Sequence, residues 1–76
     1  MSQPDAVMDL RGQRCPVPVI ELARRLGELP AGAVLRILTD DPAAASDIPA
    51  WCRMRGQELL AATPTEDSIA FDVRHV

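Results

Sequence analysis

The order of strand-like and helix-like segments is the feature that most constrains how this chain folds. Short β-prone apolar runs alternate with two segments whose apolar residues recur at helical spacing, and turns rich in Pro or Gly separate them. The resulting order is β-α-β-α-β-β. Because crossovers between parallel strands are right-handed, consecutive helices lie on one side of strands added in one direction. We therefore predict an α/β (α+β) two-layer sandwich, in which a four-stranded mixed sheet carries two helices on one face.

The strand boundaries follow from the turn residues and from the alternation of apolar positions. The predicted strands are residues 7–10, 33–39, 57–62 and 69–74. The second is a continuous β-prone run, which is typical of a mostly buried strand. The last two are joined by the turn at residues 63–67 and are predicted to form a hairpin.

The second predicted helix has clear ends and an unusual middle. Asp41 is suited to cap it, Pro42 fits the first helical position, and Gly56 ends it. Pro49 lies inside the helical pattern, where proline removes a backbone donor. We therefore predict a kink at Pro49 or a restart of the helix with Asp47 as a second cap.

The length and composition indicate one small globular domain. A chain of 76 residues allows a single domain, so we predict one domain over residues 1–76, with residues 1–6 as a flexible tail. Hydrophobic residues make up 47% of the chain and charged residues 25%, which is typical of globular proteins. With a net charge of −3, the chain lacks the clustered positive charge of sequence-independent nucleic-acid binders, and we expect no direct nucleic-acid partner.

The N-terminal residues 1–9 are polar and lack the apolar region of a secretory signal. No apolar run approaches transmembrane length, so no membrane partner is expected and the protein is predicted to be cytoplasmic. In a reducing compartment, the two cysteines, Cys15 and Cys52, are expected to be thiols rather than a disulfide.

Cys15 has the strongest chemical signal, because it lies between the first predicted strand and the first predicted helix. Free N–H groups and the dipole at a helix N-terminus stabilise a thiolate. Such sites lower a thiol pKa from about 8.5 to roughly 3.5–7.5. Arg11 and Arg14 in the preceding turn predict a small positive spot beside Cys15. The simpler interpretation is a buried structural thiol, since free cysteines are often buried. The polar Arg-Gly-Gln-Arg segment that precedes Cys15 favours a reactive thiol.

Pro16 and Pro18 restrict the backbone around Cys15. Pro16 biases Cys15 toward extended angles, and Pro18 does the same for Val17, so the first helix begins at Pro16 or at Pro18 and the sequence leaves both open. Because proline has no N–H, a capping Cys15 would find only the Val17 N–H as a donor in the first three helical positions. We therefore expect a sulfur that is held rigidly while it remains nucleophilic.

The segment from Asp9 to Pro18, Asp-Leu-Arg-Gly-Gln-Arg-Cys-Pro-Val-Pro, resembles the signature of the TusA/SirA/YedF family of small sulfur-transfer proteins. That signature is Cys-Pro-x-Pro preceded by Asp-x-Arg-Gly. Residues 39–42 and 47–52 also resemble the middle of the family, and three such segments in order make the resemblance specific. It extends from about Val7 to Val73. One departure is Gln13, where the family usually has Leu.

The resemblance implies a sulfane-sulfur carrier with sulfurtransferase-type activity, in which Cys15 holds a transient persulfide and no other cofactor is needed. It implies a cysteine desulfurase or rhodanese-type protein as the sulfur donor. It also implies a downstream sulfur-acceptor protein in tRNA thiolation, molybdenum-cofactor maturation or sulfur metabolism. The implied fold resembles the C-terminal domain of translation initiation factor three, in agreement with the predicted order of elements. The residues expected to support Cys15 are Asp9, Arg11, Arg14, Pro16 and Pro18.

The other titratable residues have weaker signals. Asp9 is expected to brace the loop around Arg11 or to take a local hydrogen bond. The adjacent Asp40 and Asp41 are interpreted as helix caps rather than as a metal or acid–base pair. His75 is isolated near the C-terminus, without a partner at metal-ligand spacing, so no metal site is predicted.

Two other classes of function also fit the sequence. Cys52 shares a helix face with Ile48 and Trp51, so a buried thiol is expected, but it can also be a resolving thiol. A thiol redox or peroxide-sensing protein would use Cys15 together with Cys52. A regulatory interaction module without sulfur chemistry would dock through the exposed sheet face or the start of the first helix. The three classes of function differ in what happens to Cys15. A sulfur carrier takes up a sulfur atom there, a redox protein forms a disulfide, and an interaction module does neither.

Overall fold

Six elements form the fold in the computed structural model, which describes residues 3–76. They are β1 (Ala6–Asp9), α1 (Val17–Gly27), β2 (Val34–Thr39), α2 (Pro42–Arg55), β3 (Glu58–Pro64) and β4 (Ile69–Arg74). The strands form one sheet in the order β1-β2-β4-β3. β1 and β2 are parallel, while β4 is antiparallel to both of its neighbours, β2 and β3. The predicted order of elements and the mixed four-stranded sheet are thus confirmed.

One face of the sheet packs against both helices. Leu35 and Ile37 of β2 and Phe71 and Val73 of β4 alternate with more exposed residues and are buried on the same face. They belong to one core with Leu22 and Leu26 of α1 and with Ala44, Ile48 and Cys52 of α2. Both helices therefore lie on one face of the sheet, as predicted.

The opposite face of the sheet carries charged side chains that are paired across strands. Arg36 of β2 and Asp72 of β4 are partners in register, and the Arg36 Nε lies 2.8 Å from Asp72 Oδ1. Arg74 and Glu58 form a second ion pair between β4 and β3. Cross-strand pairs of opposite charge stabilise a sheet, although solvent screens exposed pairs such as these. This face is thus a solvated surface that does not require a helix to cover it.

Helix α1 begins at Val17, between the two starts that the sequence left open. Pro16 is the N-cap, with φ −94° and ψ 9°, and Pro18 lies within the first turn. Cys15 therefore precedes the cap and is not the cap itself. The Val17 N–H, which we expected to face the sulfur, instead donates to the carbonyl of Arg14 at 2.9 Å.

Helix α2 is continuous from Pro42 to Arg55, so Pro49 does not restart it. A proline removes one N–H, and the buried residues on both sides of Pro49, Ala44 and Cys52, keep the two halves packed on the same core. The predicted second cap at Asp47 is therefore wrong. Within the described residues, neither helix is both long and apolar enough to cross a membrane.

The predicted flexible tail extends too far along the chain. Ala6 is the first residue of β1, and the Asp5 N–H donates to the carbonyl of Val34 at 2.8 Å. The Asp5 carboxylate in turn accepts the Val34 N–H at 2.7 Å. These two bonds fix Asp5 to the start of β2. The part of the prediction that concerns residues 1 and 2 lies outside the described residues.

Candidate functional site

The loop between β1 and α1 is anchored to the start of α2 by two adjacent carboxylates. The Gly12 N–H donates to Asp40 Oδ1 at 3.0 Å, and the Cys15 N–H donates to Asp41 Oδ2 at 2.9 Å. The same oxygen of Asp41 accepts the Ala44 N–H at 3.2 Å, which confirms Asp41 as the cap of α2. Asp40 is not a cap but a brace for the loop. One helix cap thus also fixes the backbone of Cys15.

Replacing Asp41 by Ala should lower the free energy of unfolding by about 1 kcal/mol, because α2 loses its cap. Asp41→Asn keeps a side-chain oxygen that can accept from the same donors, so it should retain most of the stability. Urea unfolding of the two variants measures the difference. An Ala variant as stable as the wild type would contradict the capping role.

The thiol of Cys15 is partly exposed and donates a hydrogen bond to Asp47, with Sγ 2.8 Å from Oδ2. Asp47 lies on α2, so two elements meet at the sulfur. The hydrogen bond to Asp47 raises the pKa of the Cys15 thiol above its ordinary value, and partial burial and the charges of Asp47 and Asp41 act in the same direction. The lowered pKa that the sequence predicted is therefore wrong. Cys15 precedes the cap of α1, and the carboxylates of Asp47 and Asp41 lie beside it.

The predicted positive spot is not formed by Arg11. The Arg11 guanidinium donates two hydrogen bonds to the Asp9 carboxylate, at 2.9 Å and 2.7 Å. It donates a third, from Nη1, to Asp67 at 3.2 Å. The Arg11 guanidinium holds the pKa of Asp9 at about 2, and Asp9 raises the pKa of Arg11. Asp9 therefore braces the loop, and the charge of Arg11 is compensated. Arg14 is exposed and forms no ion pair within residues 3–76.

An open cleft of about 250 Å³ lies beside Cys15, between α1 and α2. Cys15 and Asp47 border it, and its other walls are uncharged: Pro16, Val19, Ala50, Trp51 and Met54. Trp51 is half-buried, and it both packs against the core and lines the cleft. Met54 is 80% exposed, which is unusual for so apolar a side chain. The sulfur thus has free space next to it and an apolar surface around that space.

Comparison with known proteins identifies the relatives of the chain. The family model described as Sulfurtransferase TusA matches residues 6–75. The chain belongs to this family. Relatives named sulfur carrier protein TusA include one from Pseudomonas savastanoi pv. phaseolicola (strain 1448A / Race 6), 37% identical over 70 residues that cover 92% of this chain and 83% of the relative. Another, from Pseudomonas entomophila (strain L48), is 45% identical over 56 residues, which cover 74% of this chain and 70% of the relative.

The fold is also found in a solved relative. The crystal structure of a SirA-like protein from Desulfitobacterium hafniense is similar to this TusA-family chain with a TM-score of 0.81 and 25% identity. The match covers 91% of this chain and 95% of that one. The family resemblance that the sequence suggested is thereby confirmed.

The second thiol of this TusA-family chain, Cys52, lies in the core. It is 2% exposed and packs in the cluster that joins α2 to the sheet, and burial raises the pKa of its thiol. The predicted buried helix thiol is confirmed. A resolving role would require Cys52 to leave the core.

Neither His75 nor the adjacent Asp40 and Asp41 belong to a metal site in the part of the chain that the structure describes. No three His, Cys, Asp or Glu side chains come together there in a group that could hold a metal ion. The ring of His75 is used structurally, with Nδ1 2.7 Å from the carbonyl oxygen of Leu29.

Brief alkylation of the native protein should modify Cys15 and leave Cys52 unmodified, because only Cys15 is accessible. The thiolate is the reactive form, so the raised pKa of Cys15 should make alkylation slow at neutral pH and faster as the pH rises. Peptide mass mapping after iodoacetamide treatment at several pH values measures both effects. Preferential labelling of Cys52 would contradict the assignment of the site.

Proposed function

We propose that this chain carries sulfane sulfur as a persulfide on Cys15 and delivers it to an acceptor protein. The observation that carries the proposal is the position of Cys15: a partly exposed thiol just before α1 and beside an open cleft. Membership of the sulfurtransferase TusA family and the relatives named sulfur carrier proteins support this role.

The proposed loading step is an exchange between sulfur atoms. The Cys15 thiolate attacks the terminal sulfur of a persulfide on the donor protein, and the S–S bond of the donor breaks as the new bond to Sγ forms. The donor cysteine leaves as a thiolate and takes up a proton. In delivery, a thiolate of the acceptor attacks the terminal sulfur on Cys15. Neither step has a net gain or loss of electrons.

The proposed donor is a cysteine desulfurase or a rhodanese-type protein, and the proposed acceptor belongs to tRNA thiolation, molybdenum-cofactor maturation or sulfur metabolism. We place this relay in the cytoplasm, where thiols stay reduced. A carrier meets donor and acceptor in turn, so each contact must be transient. The exposed loop at residues 11–14, the start of α1 and the cleft surround Cys15 and therefore form the proposed contact surface.

Intact-mass measurement after incubation with a cysteine desulfurase and cysteine tests the proposal. The expected result is a gain of one sulfur atom that a reducing thiol removes, retained in Cys52→Ala and absent in Cys15→Ser. Loss of two hydrogen atoms would instead indicate a disulfide between Cys15 and Cys52 and favour a redox function. An unchanged mass would favour an interaction module without sulfur chemistry.

A further inference from the structure

We infer that Asp47 keeps the carried sulfur protonated, and thus electrophilic, while the sulfur sits in the cleft between α1 and α2. The inference rests on the proposed persulfide on Cys15. It goes beyond that proposal because it assigns a role in transfer to a residue of α2, outside the cysteine segment.

The geometry at Cys15 places Asp47 within reach of both sulfur atoms of a persulfide. Asp47 Oδ2 lies 2.8 Å from Sγ, and Asp41 holds the backbone of Cys15 through its N–H at 2.9 Å. A second sulfur would be bonded about 2.05 Å from Sγ, as in other S–S bonds. The cleft of about 250 Å³ borders both Cys15 and Asp47, so it offers room for that atom beside the carboxylate.

Most of the charged groups around the Cys15 sulfur disfavour a negative charge on it. From α2, Asp47 faces the sulfur and Asp41 faces the Cys15 backbone, while the α1 residue that lines the cleft, Val19, is uncharged. Arg14 precedes Cys15 in the loop and is an exposed cation, so solvent screens its charge. Two carboxylates therefore disfavour negative charge on the sulfur, and the raised pKa of the free Cys15 thiol reports the same environment.

The state of protonation decides what a persulfide can do. A terminal sulfur with a negative charge repels an incoming thiolate and acts as a nucleophile. A terminal S–H group is neutral and accepts attack by a thiolate. A carboxylate that accepts a hydrogen bond from that S–H group stabilises the neutral form relative to the anion. Asp47 therefore keeps the sulfur ready for delivery rather than for reaction with electrophiles.

The delivery step then balances in atoms and charge. The acceptor thiolate forms a bond to the terminal sulfur, and the bond from that sulfur to Sγ breaks with its electron pair on Sγ. Asp47 takes the proton from the terminal sulfur and returns it to Sγ, from which its own oxygen is 2.8 Å away in the unloaded protein. The products are an acceptor persulfide anion and the Cys15 thiol, with no net change in protons or electrons.

The test compares wild type, Asp47→Asn and a matched control, each loaded with inorganic polysulfide and checked by intact mass. Glu66 is an exposed acid in the turn between β3 and β4, so Glu66→Gln removes one negative charge away from the cleft. Two rates are measured against pH: release of the sulfur to glutathione, and alkylation of the terminal sulfur by iodoacetamide. Asp47→Glu keeps the carboxylate, so both of its rates should lie between those of the wild type and those of Asp47→Asn.

We expect Asp47→Asn to release sulfur more slowly at neutral pH, on the order of tenfold. Alkylation should become faster in the same variant, with its pH profile displaced to lower pH, while Glu66→Gln behaves as wild type. If Asp47 had only a structural role, Asp47→Asn would slow both reactions or neither. Either result would overturn the inference, while the loaded wild type would still support the proposed function. A wild type that takes up no sulfur would overturn both.

Discussion

Cys15→Ser should lose all sulfur loading while its thermal midpoint of unfolding hardly changes. The side chain lies outside the buried core, so its replacement removes little packing. The bond from the Cys15 N–H to Asp41 involves the backbone and remains, and a serine hydroxyl can still donate to Asp47. An alcohol, however, cannot form a persulfide. Circular-dichroism melting and intact mass after incubation with a sulfur donor measure the two properties separately.

The control for this variant is Cys52→Ala, because Cys52 is the buried thiol of the pair. It should still load sulfur, and the loss of a buried sulfur atom should lower the free energy of unfolding by about 1 kcal/mol. Sulfur loading that persists in Cys15→Ser would move the site to Cys52. A large loss of stability in Cys15→Ser would mean that Cys15 is a core residue.

Phe71→Ala should have the largest effect on stability, lowering the free energy of unfolding by about 3–5 kcal/mol. Phe71 is the only phenylalanine, is 2% exposed, and lies between Ile37 of β2 and Ala62 of β3 in register. Its loss would leave a cavity where the sheet meets the helices. A domain of 76 residues has a total stability of about 4–11 kcal/mol, so this single change removes a large part of it.

Urea unfolding measures this loss, with Phe71→Leu as the matched control. Leucine fills most of the space, so the control should lose clearly less stability than the alanine variant. Phe71 does not line the cleft beside Cys15, and any folded fraction of either variant should therefore load sulfur. A decrease below about 1 kcal/mol in Phe71→Ala would contradict the placement of this ring in a close-packed core.

Local patterns in the sequence determined the elements and their order. Asp41 followed by Pro42 signals a helix start wherever the chain lies, because a cap satisfies N–H groups only a few residues away. Gly56 adopts a φ of 69°, which glycine reaches without steric cost, so the end of α2 was predictable as well. The burial of Cys52 followed from helical periodicity alone. The position of Cys15 between β1 and α1 was likewise predictable from the order of the elements.

The electrostatic state of Cys15 was decided only by the tertiary structure. Asp47 lies 32 residues from Cys15 in the chain, and the sequence suggested it only as a second helix cap, not as a neighbour of Cys15. Arg11 and Asp67, which are 56 residues apart, meet for the same reason. The sequence therefore predicted a lowered thiol pKa from the helix start and the nearby arginines, whereas the fold brings carboxylates to the sulfur. Charge interactions fall with distance in space rather than along the chain, so their sign depends on how α2 packs beside the loop.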